Sequence, residues 1–329
     1  MTKTWRIGNI EIAGRSVLAP LAGVGDPPFR KICKKYGASL IYTEFVSAQG
    51  LLQKNRYTKA MLELNKDEHP VGIQLFGHEP QHLAKASKYV EKAGADFVDL
   101  NCGCPERKIV STGAGAALLS DPDLIARIVE AMVKSVTIPV TVKIRLGVKK
   151  GESIAVKLAK MVENAGAQAL AVNTCYVSQG LVGPYFWDDL NGIVQSVKIP
   201  VIGNGGIKVP QDAAKMMETG ISAVMLGRSC FGSPWIFAQV EAAITGDPIP
   251  QNPTLDEKFS VMLEHLQAVV EYKGEKIGVS EMRKHWAWYV RGLPDCAKFR
   301  ESAIHIKTLA QMRDNLLTYK QHLQEKGYA

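Results

Sequence analysis

The sequence predicts a closed (β/α)8 TIM barrel, an α/β fold, followed by a smaller, all-α C-terminal domain. Three observations carry that prediction. A helix end, a glycine and an apolar strand recur together: Glu91-Lys92-Ala93-Gly94-Ala95 precedes Phe97 to Asn101, Glu163-Asn164-Ala165-Gly166-Ala167 precedes Ala169 to Asn173, and Met217-Glu218-Thr219-Gly220 precedes Ala223 to Gly227. Each reads as a helix stopped by a C-terminal glycine and followed by a strand buried on both faces. A second phrase, Ser135-Val136-Thr137-Ile138-Pro139 and Ser196-Val197-Lys198-Ile199-Pro200, opens two further apolar runs with proline, where a missing N–H costs little. Third, the pattern changes after Ile244: strand-like runs stop, and apolar residues recur at helical spacing from Leu255 onward.

In chain order, Val17 to Leu21, Leu40 to Glu44 and Val71 to Phe76 complete a set of eight short apolar runs separated by helix-length segments. Eight parallel strands with outer helices suit a barrel. A doubly wound sheet is the alternative, because strand count alone does not prove closure. Gly246-Asp247-Pro248-Ile249-Pro250-Gln251-Asn252-Pro253 is too rich in proline for a helix. The expected division is therefore a barrel over 1–245, a linker over 246–254 and a helical domain over 255–329.

At 329 residues, with 46% hydrophobic and 22% charged residues, the chain buries a full core and exceeds one minimal domain. It holds no apolar run long enough to span a bilayer, and its first residues, Met1-Thr2-Lys3-Thr4-Trp5-Arg6, lack an apolar leader. A cytoplasmic monomer is expected. Six cysteines at 33, 102, 104, 175, 230 and 296 show no paired ligand spacing, which argues against a disulfide framework or a structural zinc site. The net charge of +8 suggests a polyanionic partner. Between Lys276 and Lys307, seven Lys or Arg stand against three acids, with Trp286, Trp288, Tyr289 and Phe299 interleaved. That segment reads equally as an RNA-facing surface or as a solvated helix face over core aromatics.

In a barrel the carboxyl ends of the strands form one mouth, and the chemistry sits there. Asn101-Cys102-Gly103-Cys104-Pro105 puts thiols at one such end, where a cysteine serves as nucleophile, ligand or proton donor according to what else reaches the rim. Pro20-Leu21-Ala22, Glu44, Gln74, Lys143-Ile144-Arg145, Asn173, Asn204-Gly205-Gly206 and Gly227-Arg228 fall at the others. The last two follow the seventh and eighth strands, where barrels commonly hold phosphate on glycine-freed amides; tight turns alone are the other reading. Lys143 ends an apolar strand and needs an anionic partner there. A reduced flavin is one candidate and a barrel carboxylate such as Glu44 another. The Gln74 amide both donates and accepts.

In this order the motifs resemble the tRNA-dihydrouridine synthases: Ala19 to Val24, Ile73-Gln74-Leu75-Phe76-Gly77, Leu100 to Pro105 with Lys108, Val142 to Arg145, Gly203-Asn204-Gly205, and Gly227-Arg228 with Pro234-Trp235. Arg283-Lys284-His285-Trp286 and Trp288-Tyr289 are similar to that family's helical domain. Single motifs are weak, but the ordered set spans nearly the whole chain. The resemblance implies an FMN barrel and an RNA-binding helical domain that reduce the C5–C6 double bond of uridine in tRNA, with NADPH or NADH as reductant. It further implies hydride delivery to C6 and proton delivery to C5 by Cys104, the cysteine directly before proline. Carried over, Pro20, Leu21 and Ala22 line the flavin, Gln74, Lys143 and Asn173 contact it, and Asn204, Gly205, Gly206, Gly227 and Arg228 hold its phosphate end. Asn101 and Arg145 face the uracil. No dinucleotide fingerprint appears, so the nicotinamide is expected to visit transiently.

One segment departs from that pattern. Where the family has Val-His-Gly-Arg-Thr, then Gln, Tyr, Gly and Asp-Trp, this chain has Val172-Asn173-Thr174-Cys175-Tyr176, then Gln179, Leu181, Gly183 and Phe186-Trp187. Asn173 forms hydrogen bonds but carries no charge and transfers no proton. Cys175 replaces an arginine fork with a thiol. Gly206 and Gly25 stand where Asp and Thr are frequent. Two alternatives stay open: a flavoprotein reducing another RNA uridine or a free pyrimidine, since Asn173-Thr174 resembles the strand end of dihydroorotate dehydrogenases, and a non-catalytic RNA-binding relative.

Overall fold

The computed structural model describes residues 4–180 and 182–328. The chain opens with a hairpin of β1 (Thr4–Ile7) and β2 (Ile10–Ala13), paired antiparallel. Then come β3 (Ser16–Leu18), β4 (Leu40–Tyr42), a two-residue β5 (Val46–Ser47), β6 (Val71–Phe76), β7 (Phe97–Cys102), β8 (Val140–Arg145), β9 (Ala169–Asn173), β10 (Val201–Asn204) and β11 (Ala223–Leu226). Strands β3, β4 and β6 to β11 pair in parallel in chain order, and β3 pairs with both β4 and β11. That last pairing closes the sheet, so the barrel holds and a doubly wound sheet does not. β5 pairs only with the end of β6.

Because side chains alternate along a strand, the barrel carries two cores. Odd-numbered positions of β7, β8 and β9 point inward. Phe97, Ala169 and Ala171 join Val17, Leu40, Tyr42, Ile202, Ala223 and Met225 inside. Even-numbered neighbours such as Val98, Leu100, Cys102, Val142 and Leu170 pack outward against the helices. The hairpin was not legible in the sequence. Trp5, Ile7 and Ile12 join the inner cluster and so close the end of the barrel opposite the strand tips.

The recurring glycines fall where the helix ends require them, with left-handed φ of 88° at Gly94, 98° at Gly166 and 83° at Gly220. After residues without helix or strand, Thr254 and Glu257 cap each other reciprocally, Glu257 Oε2 accepting from Thr254 N at 2.8 Å, and the helix Leu255–Lys273 begins. Helices Glu275–Tyr289, Cys296–Ile304 and Leu309–Glu325 complete the C-terminal region. Its core contains Phe259, Met262, Leu266, Met282, Trp286 and Leu316 together with Ile32 and Trp235 of the barrel's outer layer. Phe231 stacks on Trp288 at 4.3 Å, so the two regions share packed surface.

That junction settles the interleaved aromatics: Trp286, Tyr289 and Phe299 are buried and Trp288 is half-buried against Phe231, so they serve packing, while Lys276, Arg291, Lys298, Arg300 and Lys307 are exposed. Arg30 and Glu68 form a buried ion pair at 2.8 Å beneath the barrel rim. Arg30 also donates to the Gly25 and Glu63 carbonyls, and Asn65 Nδ2 donates to the second Glu68 oxygen at 2.8 Å. Glu68→Ala leaves that guanidinium buried and unpaired. It is expected to lower stability by about 3–5 kcal/mol, read from the denaturant midpoint.

Candidate active site

The sheet register brings the polar strand ends to one level. Gln74 lies across from Asp99, Asn101 from Lys143, Arg145 from Asn173, and Asn173 from Asn204. The thiol-bearing turn grows out of this layer. Asn101 Oδ1 accepts the N–H groups of both Gly103 and Cys104 at 3.0 Å. Arg145 Nε donates to the Gly103 carbonyl at 2.7 Å, and the Cys104 carbonyl accepts from Ala116 N at 2.9 Å. The turn is therefore held from both sides beyond the end of β7, with Cys104 half-buried in it.

Alternation separates the two thiols of the motif. Cys102 is fully buried in the outer layer, whereas Cys104 is half-buried beyond the strand end. Burial pushes the Cys104 thiol up, against a lowering hydrogen bond from the Glu106 backbone and the charges of Arg145 and Lys143. At neutral pH the group is a protonated thiol, which is a proton donor rather than a nucleophile.

Lys143 reaches Asn204, donating to its Oδ1 at 2.9 Å, and Asn204 Nδ2 donates in turn to the Met225 carbonyl at 2.8 Å. Burial, reinforced by the Arg145 charge, lowers Lys143 to about 8, while Asp99 pulls it back up. Its partner is not Glu44, which instead accepts the Gly23 N–H. The Gly23 carbonyl accepts from Lys284 of the helix Glu275–Tyr289, so the Pro20 to Gly23 loop is tied to the helical region.

Arg145, expected beside the substrate, braces the turn through its Nε and residues 175–180 through its Nη1. It is buried, with Nη1 donating to Cys175 Sγ at 3.1 Å, the Tyr176 carbonyl at 3.2 Å and the Gly180 carbonyl at 2.7 Å. Cys175 is buried too, and its thiol donates to Asn173 Oδ1 at 3.2 Å. The cysteine that stands in the arginine position thus packs against a neighbouring arginine. Leu181 lies outside the described residues.

Gly205 and Gly206 have left-handed φ of 100° and 89°, and packing gives a second reason for both. A Cβ on Gly205 would meet Asn173 Oδ1 at 2.7 Å and the Tyr185 ring at 2.8 Å, and one on Gly206 would meet Trp187 Nε1 at 2.9 Å. Trp187 Nε1 donates to the Gly205 carbonyl at 3.0 Å, and Arg228 Nη2 donates to the Tyr185 hydroxyl at 2.8 Å. Tyr185 was not singled out from the sequence; its neighbours Phe186 and Trp187 were the available signal. The other missed group is Asp99, whose place inside an apolar run was the sign. Lys143 and Arg228, at the ends of β8 and β11, with the left-handed Gly205 and Gly206, suit a cofactor that carries negative charge and a phosphate.

Among the described residues no helix is long and apolar enough to cross a membrane, and no group of three His, Cys, Asp or Glu is placed to hold a metal ion. Among solved structures, morphinone reductase shares the fold with a TM-score of 0.53 at 14% identity, covering 75% of this chain and 90% of that one. A variant of NCR from Zymomonas mobilis matches with a TM-score of 0.53 at 17% identity, covering 75% and 92%. In sequence, the chain is 37% identical over 317 residues to a probable tRNA-dihydrouridine synthase of Rickettsia bellii, 95% of this chain and 97% of that protein. It is 39% identical over 297 residues to tRNA-dihydrouridine synthase B of Pseudomonas aeruginosa, 90% of this chain and 89% of that one. The family model for dihydrouridine synthase matches residues 17–325, nearly the whole barrel and helical region, and with that coverage the chain belongs to the dihydrouridine synthase family.

Proposed function

We propose that the protein reduces the C5–C6 double bond of uridine in tRNA, with FMN in the barrel mouth and Cys104 as the proton donor. The observation that carries this reading is the braced turn that sets a protonated thiol on the same rim as Lys143 and Gln74. Lys143 and Gln74 bind the ring, and Asn204, Gly205, Gly206, Gly227 and Arg228 serve the phosphate end, with Pro20, Leu21, Ala22 and Asn173 lining the remainder. A flavin reduced by NADPH or NADH supplies the hydride for C6. Cys104 holds the proton that completes C5. Adding hydride at C6 builds enolate-like charge on the base, so fixed donors and an acid belong around it. Asn101 and Arg145 serve by fixing where Cys104 stands.

The barrel over 1–245 performs the reduction, and the helices over 255–329 dock the RNA. Exposed Lys276, Arg291, Lys298, Arg300 and Lys307 supply phosphate contacts there, and such binding weakens with added salt. The target base must leave its stack to reach the mouth. Incubating purified protein with FMN, NADPH and tRNA from a strain lacking this gene should yield dihydrouridine by mass spectrometry. Conversion of free uracil or orotate without conversion of tRNA would move the reading to a free-pyrimidine reductase. A protein that holds no flavin would be a non-catalytic relative.

A further inference from the structure

Beneath the Cys104 turn, Asn101 and Gln74 lead down to Asp99, a buried carboxylate to which the reaction as derived gives no role. Asp99 is 1% exposed and stands across the ladder from Gln74. Its Oδ2 accepts from Gln74 Nε2 at 2.6 Å, and its Oδ1 accepts from Thr141 Oγ1 at 2.5 Å. Gln74 Oε1 accepts from Asn101 Nδ2 at 2.7 Å, and Asn101 Oδ1 accepts from the Gly103 and Cys104 amides at 3.0 Å.

The two ends of a side-chain amide have the same shape and opposite hydrogen-bonding character, so its partners alone decide which way it points. An ionised carboxylate only accepts. It therefore draws the Gln74 NH₂ toward itself and leaves the Gln74 oxygen for Asn101. That oxygen draws the Asn101 NH₂ and leaves the Asn101 oxygen for the turn. Reversal of Asn101 would set donor against donor at Gly103 and Cys104, and reversal of Gln74 would set donor against donor at Asn101 and oxygen against carboxylate at Asp99.

We propose that Asp99 is a positioning residue: it sets the direction of the Gln74 and Asn101 amides and thereby holds the Cys104 thiol where the uracil needs its proton. The proposal rests on the reading of Cys104 as proton donor. Burial raises Asp99 to about 6, against the hydrogen bonds of Gln74 and Thr141 and the charge of Lys143, so it is ionised at neutral pH. The other titratable neighbours are Tyr42, bonded to Thr141 Oγ1 at 3.3 Å, and Cys102, both pushed up by burial and neutral in this range. A proton gained as pH falls through about 6 leaves one Asp99 oxygen accepting from Gln74 and a hydroxyl able to donate to Thr141 Oγ1, so the amide direction survives protonation.

The test compares flavin-loaded Asp99→Leu and Asp99→Asn with the parent, reading flavin content, flavin reduction by NADPH, and uridine reduction in tRNA. Asp99→Leu removes the acceptor and should slow the uridine step, read per reduced flavin, about 100-fold, an effect of the size of a lost general acid; flavin content is read alongside because Gln74 also serves the ring. Asp99→Asn can keep the direction, its oxygen toward Gln74 and its NH₂ toward Thr141 Oγ1, and should stay within about tenfold of the parent, the scale of one hydrogen bond. An Asp99→Leu protein reducing tRNA at the parent rate, or an Asp99→Asn protein as slow as Asp99→Leu, overturns the proposal. If Asp99→Leu does not fold or load flavin, Asp99→Asn alone decides: a flavin-loaded Asp99→Asn protein about 100-fold slower than the parent overturns the proposal. In a Cys104→Ala background Asp99→Leu should cost nothing further, and an undiminished cost there overturns the proposal. A fully active Cys104→Ala protein would instead show that the reading of Cys104 has failed, and the proposal falls with it.

Discussion

Cys104→Ala lowers the rate of uridine reduction in tRNA by about 10²–10⁴-fold, the range for loss of a positioned general acid, while flavin content and flavin reduction by NADPH stay at the parent level. The asymmetry follows from where the thiol sits. The turn hangs from backbone and neighbouring side chains, Asn101 on its amides and Arg145 on the Gly103 carbonyl, so truncating the sulfur leaves its geometry in place. The residues proposed to hold the flavin come from other strands. Cys104→Ser is the informative companion, because a hydroxyl keeps the shape and the donor but is a far weaker acid than a thiol. It should resemble the alanine variant. Separate stopped-flow measurement of the two half-reactions checks this.

Lys143→Met should make the bound flavin harder to reduce. The ammonium lies in the mouth beside Asn204 and favours a ring that gains negative charge on reduction. A hydrogen bond to a charged group contributes about 1.5–3 kcal/mol. For a two-electron couple that lowers the midpoint potential by about 30–60 mV. The sign with pH is fixed by the direction of the lysine shift: burial holds it at about 8, so the cation is present below that value and lost above it. The gap between parent and variant is therefore widest at low pH and narrows as pH rises through the lysine's titration. Flavin retention should also weaken. Spectroelectrochemical titration of both proteins across pH measures the potentials.

The barrel was legible because its code is local. Glycine stops such as Gly94 and Gly166, strand-opening prolines such as Pro139 and Pro200, and apolar runs of strand length each state their element without help from distant sequence. Closure was not local. It depends on β3 reaching both β4 and β11, residues more than two hundred positions apart. The hairpin Thr4–Ala13 was missed for a similar reason, since its apolar face has meaning only once an open barrel end exists to receive it.

At the mouth, strand-end residues were found because a barrel sends them to one place, and the register confirms that Asn101 and Lys143 lie opposite. What side chains bond to was not legible. Arg145 was expected to face the substrate, and the bonds of its Nε and Nη1 to three carbonyls and one sulfur could not be read from sequence. Asp99 lies within an apolar run and gained meaning only when Gln74 and Thr141 appeared on its two oxygens. The aromatic residues of the helical region carried two readings in sequence, and burial of Trp286, Tyr289 and Phe299 selects packing.

The central claim, that a flavin in this mouth hands hydride to a tRNA uridine while Cys104 supplies the proton, is tested most directly by an anaerobic single turnover. Flavin-loaded protein is reduced with NADPH, freed of excess nucleotide and mixed with tRNA lacking dihydrouridine. The account predicts that the flavin absorbance returns and that dihydrouridine appears in equal amount, with neither occurring at the parent rate in Cys104→Ala. Reduced flavin that persists in the presence of such tRNA, or a Cys104→Ala protein that turns over as fast as the parent, would contradict it.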